Sequence, residues 1–123
     1  MQLRDTKSKH FPNMWCFPGG GCEEGEIPLD TIIREASEEY CLTLDRNACL
    51  LMLAYQPCYE ENFTDHVFIC RIDVAQQPVL REGADMKWMT LNEIRQIQIG
   101  FDQKKLLPFV EKTLTQFKFS NQH

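Results

Sequence analysis

The chain predicts an α/β or α+β fold, and three observations carry the prediction: a helix-period apolar stripe after a glycine-rich loop, two strand-like segments, and an amphipathic C-terminal stretch. Pro12, Pro18 and the Gly19-Gly20-Gly21 run form the loop, which leads to Pro28. Proline suits a first helical turn because its missing N–H would have no partner there. From it Leu29, Ile32, Ile33, Ala36 and Tyr40 recur at helical spacing, so a helix of about three turns is expected to end near Cys41. Residues 48–56, rich in Leu and Met, and 66–74, with Val67, Ile69 and Arg71 alternating against Phe68, Cys70 and Ile72, read as strands. The polar stretch 57–64 between them makes an antiparallel hairpin the natural pairing. Trp88 and Met89 read as a short strand, and Thr90 with Glu93 as a capping box that opens a short helix. A last helix is expected over 104–117, with Leu106, Leu107, Val110 and Leu114 facing inward and Pro108 near its first turn.

At 123 residues the chain is long enough for one cored domain, expected over 1–123, and too short for two. Apolar residues make up 43% and charged residues 25%, as in ordinary globular proteins, and no apolar run reaches the ~18 residues of a membrane span. The start, Met1-Gln2-Leu3-Arg4-Asp5, lacks the pattern of a signal peptide, so a cytoplasmic location is expected. A net charge of −5 disfavours a nonspecific grip on nucleic-acid polymers, which needs clustered Lys and Arg. The six cysteines include no Cys-x-x-Cys pair, and His10, His66 and His123 stand at no zinc-ligand spacing. Reduced, mostly buried thiols acting as small apolar side chains are expected.

The chemistry concentrates between Pro18 and Leu42. Glu35, Glu38 and Glu39 stand at i, i+3 and i+4, which puts three carboxylates on one helical face opposite the apolar stripe. Like charges at that spacing repel by a few tenths of a kcal/mol per pair, so a cation is expected among them. Magnesium takes oxygen ligands, uses few carboxylates and leaves positions for water and phosphate oxygen. A solvated acidic helix face is the plain alternative, and the wider spacing decides between the two.

That spacing resembles the Nudix box, G-x5-E-x7-R-E-U-x-E-E-x-G-U, where U is a bulky apolar residue. Gly20, Glu26, Arg34, Glu35, Glu38, Glu39 and Leu42 fall on its fixed positions, with Ala36 at the first U. At about 6% per residue type, such a match in one register is far beyond chance. The chain departs at Cys41, where the box has glycine. A left-handed residue there would cost about 1 kcal/mol, so the turn is either strained or built differently.

The resemblance implies a Nudix fold, a mixed sheet sandwiched between helices, and a hydrolase of MutT-like type that cuts a diphosphate linkage. It implies Mg²⁺ or Mn²⁺ held by Glu35, Glu38, Glu39 and the Gly20 carbonyl, with Arg34 among the catalytic residues. Glu26 and Arg34 become a structural ion pair tying loop to helix. The metals would polarise phosphoryl oxygens and activate an in-line water, whose proton goes to a carboxylate: Glu38, Glu39, Glu82 or Asp85. The substrate expected is a nucleoside triphosphate, including oxidised or noncanonical ones, or another nucleoside diphosphate derivative. Asp102 either reads a base edge or caps the last helix, while Phe63 and Trp88 either stack on a base or fill the core. Sugar nucleotides, the 5′ end of RNA, and a nucleotide-sensing module without catalysis are the competing readings.

Residues 1–5 read as the end of the strand preceding the glycine loop, with the family's usual first strand missing. A native start at Met1 would leave one sheet edge without its neighbour and favour a homodimer; a start placed too late is the other explanation.

Overall fold

The computed structural model describes residues 1–7, 11–56, 64–73, 75–81, 83–101 and 103–120, with side chains up to residue 116. In chain order they form β1 (Gln2–Leu3), β2 (Trp15–Cys16), α1 (Pro28–Tyr40), a 3-10 turn (Arg46–Ala48), β3 (Cys49–Tyr55), β4 (Asp65–Cys70), β5 (Asp85–Met86), α2 (Leu91–Ile94), a second 3-10 turn (Gln103–Leu106) and α3 (Leu107–Ser120). Helices and antiparallel strands alternate without a parallel βαβ repeat among the described residues, which makes the fold α+β.

The described residues form two sheets. β1 lies between β2 and β5, pairing Gln2 with both Cys16 and Met86. The strand read at residues 1–5 is therefore flanked on both sides, and the edges of this sheet are β2 and β5. The predicted hairpin is the second sheet, with Leu50 opposite Ile69 and Leu51 opposite Phe68. Its register shifts between Leu51 and Leu53, which marks a bulge. A parallel bridge, Trp15 to Ile99, joins β2 to the segment after α2.

Helix α1 begins as expected on Pro28. It ends on Cys41 at φ 55° and ψ 31°, in the left-handed region. The Leu42 N–H donates to the Ala36 carbonyl at 3.0 Å and the Cys41 N–H to that of Ser37 at 3.1 Å. The Cys41 bond, reaching four residues back, is that of an αL cap, so the turn keeps the geometry that a glycine would adopt. Thr90 and Glu93 form the expected capping box around α2, Thr90 Oγ1 accepting from the Glu93 N–H at 3.2 Å. Three expectations need correction. The short strand is Asp85–Met86, and Trp88 and Met89 lie outside it because β1 pairs only as far as Met86. The last helix opens as a 3-10 turn at Gln103, and Leu114 is exposed on it while Leu106 and Leu107 are buried. Of the α1 stripe only Tyr40 is buried.

Among the described residues the buried side chains are Cys16, Tyr40, Ile94, Leu106 and Leu107, joined by polar Gln2 and Thr31. Gln2 is affordable inside because its Oε1 accepts from the Tyr40 hydroxyl at 2.8 Å, linking β1 to the end of α1. Among the described cysteines Cys16 is buried, Cys22 is exposed, and Cys41, Cys49 and Cys70 are half-buried, all as free thiols. Among the described residues no helix is long and apolar enough to cross a membrane.

Candidate active site

Arg34 is the centre from which the site is built. Its Nε donates to Glu26 Oε2 at 2.8 Å and its Nη2 to Glu26 Oε1 at 2.9 Å, a two-pronged fork. The same Nη2 donates to the Gly21 carbonyl at 3.1 Å, so the guanidinium fastens the glycine loop to α1. Glu26 Oε1 accepts two further bonds, from the Glu23 N–H at 3.1 Å and the Thr31 hydroxyl at 2.7 Å. These donors, the Arg34 guanidinium first, hold the Glu26 carboxyl down from 4.5 to about 2. Glu26 in turn raises the pKa of Arg34. The ion pair expected from sequence is thus present.

Two of the helix glutamates meet the third prong. Arg34 Nη1 donates to Glu35 Oε1 at 2.9 Å and to Glu38 Oε2 at 3.1 Å. The cation that the repelling carboxylates call for is supplied here by the chain itself. Exposure separates the two: the Glu35 side chain is 14% exposed and that of Glu38 59%. Gly20 is packed against Glu35, and a Cβ on residue 20 would fall on its carboxyl group. Only bare backbone lets the loop approach that closely.

Glu39, the next residue on α1, is half-buried on the side of β2, where its charge acts on the Cys16 thiol. Burial pushes that thiol up, and Arg4 opposes the shift. Glu39 also lends its backbone carbonyl to the Arg81 N–H at 2.9 Å. Among the described residues no three His, Cys, Asp or Glu side chains stand close enough together to hold a metal ion. The pair on Arg34 Nη1 is what the donor set offers, and hard carboxylate oxygens converging on one cationic point suit Mg²⁺, which takes one or two carboxylates with water and phosphate.

The remaining expected residues lie elsewhere. Asp85 sits in β5 opposite Leu3, and its Oδ1 accepts from the Met86 N–H at 2.8 Å. Trp88 is 65% exposed, which contradicts a core role, and with Ile72, Asp73, Gln76 and Gln77 it lines an open cleft of about 440 Å³. Phe63, Glu82 and Asp102 lie outside the described residues. Sequence reasoning missed Thr31, which is 3% exposed and bonded to Glu26. Its signal was available: Thr31 precedes Arg34 by three positions, on the same helical face.

No curated protein matches the chain. The family model of the NUDIX domain matches residues 2–110, a span that includes the loop, the Arg34 fork and all of α1. With that match covering most of its length, the chain belongs to the NUDIX domain family.

Proposed function

We propose that this domain hydrolyses a diphosphate linkage in a nucleoside triphosphate or a related nucleoside diphosphate derivative, oxidised or noncanonical nucleotides included, with Mg²⁺ or Mn²⁺ as cofactor. The observation that supports it most is the convergence of Glu35 and Glu38 oxygens on one point, 2.9 and 3.1 Å from Arg34 Nη1, beside Gly20. Glu35, Glu38 and the Gly20 carbonyl are the proposed ligands, and Glu39, directed toward Cys16 here, would have to turn to join them. A divalent cation bound there supplies charge neutralisation and Lewis acidity to the diphosphate.

The chain's own residues divide the remaining work. The Glu26 fork and Gly21 carbonyl hold Arg34 through contacts independent of Glu38, so the exposed Glu38 can turn to a ligand without loosening loop from helix. Glu35, the less exposed carboxylate, stays oriented against Gly20. The proton of the attacking water goes to Glu38 or Glu39, or to Asp85 or Glu82. The exposed ring of Trp88 offers a face on which a base can stack, with Asp73 and Gln77 beside it as hydrogen-bonding groups. Phe63 and Asp102 complete the proposed base-recognition set. The protein acts on a small molecule in the cytoplasm, as a monomer or a homodimer.

A second reading, a nucleotide-sensing module without turnover, is favoured by one feature: Arg34 already neutralises Glu35 and Glu38. A panel of nucleoside triphosphates, sugar nucleotides and dinucleoside polyphosphates, assayed for phosphate and pyrophosphate release across a Mg²⁺ titration, separates the two. Metal-dependent cleavage of at least one nucleotide is expected. Saturable nucleotide binding with no product at any metal concentration would replace the hydrolase with the sensor.

A further inference from the structure

Two cysteines outside the active site stand directly across from one another. Cys49 opens β3 and Cys70 closes β4, and the ladder pairs them. The neighbouring Arg71 N–H donates to the Ala48 carbonyl at 3.1 Å, one of the two bonds of a hydrogen-bonded position, the Ala48 N–H going instead to Asp45. Bonded and non-bonded pairs alternate along an antiparallel ladder, which makes Cys49 and Cys70 a non-bonded pair. At such a pair the Cα atoms approach to about 4.5 Å and both side chains leave the same face. A disulfide spans Cα separations of about 4.4–6.8 Å, so a pair at this ladder position falls at the short end of the range that a disulfide bridges.

We propose that Cys49 and Cys70 are a redox-modification site that closes to an intrachain disulfide on reaction with a low-molecular-weight disulfide such as oxidised glutathione. The Cys49 thiolate, having released its proton to solvent, attacks one sulfur of the oxidant. The S–S bond of the oxidant breaks, and its other half leaves as thiolate and takes up a proton. Cys70 then loses its proton, attacks the Cys49 sulfur of the mixed disulfide and expels the second thiol. The two cysteines are oxidised by two electrons and the oxidant is reduced by two.

The order follows from the surroundings of each thiol. Burial and the Cys49 thiol push Cys70 up to about 12, so at neutral pH it is a poor first nucleophile. It resolves the mixed disulfide through proximity. Cys49 Sγ lies at the strand end, 3.3 Å from the Asp45 carbonyl. The bond would sit at the open end of the hairpin and enclose both strands. That end is tied to α1 by an ion pair between Arg46 of the preceding turn and Asp30 of the helix.

The test equilibrates the full chain in glutathione redox buffers, quenches with acid, alkylates and maps the peptides by mass spectrometry. One Cys49–Cys70 disulfide is expected, with a melting temperature several degrees above that of the reduced chain. Cys70→Ser should stop at a glutathione adduct on Cys49 and show no such rise. A stable glutathione adduct on wild-type Cys49, a dominant bond to another cysteine, or no oxidation across the buffer range would each overturn the proposal. The peptide map on unmodified protein stands even where a variant folds poorly.

Discussion

Replacing Cys41 by glycine is expected to stabilise the protein, an uncommon direction for a point substitution. Cys41 sits at φ 55° and ψ 31°, where a side chain with a Cβ costs about 1 kcal/mol relative to glycine. Glycine removes that strain while leaving both cap bonds in place, because Leu42 and Cys41 donate through the backbone. Loss of a half-buried thiol offsets a few tenths of a kcal/mol, leaving a net gain of about 0.5–1 kcal/mol. For a domain of 123 residues that corresponds to a rise of roughly 2–4 °C in melting temperature. Thermal unfolding followed by circular dichroism measures it, with Cys41→Ala as control. Alanine keeps the Cβ, so it should bring no gain. A fall in melting temperature for the glycine variant, or an equal rise for alanine, would refute the strain argument.

Other perturbations probe the loop and the fork. Gly20→Ala places a methyl group on the Glu35 carboxyl, so Mn²⁺ affinity by calorimetry should fall at least tenfold while far-ultraviolet dichroism stays unchanged. Thr31→Val removes a buried hydroxyl from Glu26, and its denaturation midpoint should drop. Glu26 gives a defined pH window. Its folded value of about 2 lies below the ordinary 4.5, so its stabilisation is complete above about pH 4.5 and disappears as pH falls toward 2. The gap in urea midpoint between wild type and Glu26→Gln should stay flat from pH 7 to about 5 and narrow below that. A gap that widens on acidification would contradict the assignment.

Helix α1 was the most legible part of the sequence, because the box fixes residue type and register together. Glu26 and Arg34 meet as the resemblance implied, and Pro28 and Thr90 start the helices expected of them. Short strands were less legible. β1, β2 and β5 have only two residues each, too few for alternation to show, and their pairing is set by partners distant in sequence. β3 carries Leu50 and Leu51 at 55% and 54% exposure, and no apolar pattern could distinguish them from core residues. The direction in which Glu35, Glu38 and Glu39 point was likewise beyond periodicity. Helical spacing places Cβ atoms, and Arg34 on one side and the neighbourhood of Cys16 on the other decide where the carboxylates go.

The most direct test of the account is turnover by Glu38→Gln with Glu39→Gln, followed by ³¹P nuclear magnetic resonance on a nucleotide that the wild type cleaves with Mg²⁺. Each amide keeps the side-chain shape and removes the charge. The account predicts that cleavage falls by several orders of magnitude while the Arg34–Glu26 fork preserves the fold. Turnover equal to that of the wild type, with the same dependence on Mg²⁺, would contradict the assignment of this helix as the seat of catalysis.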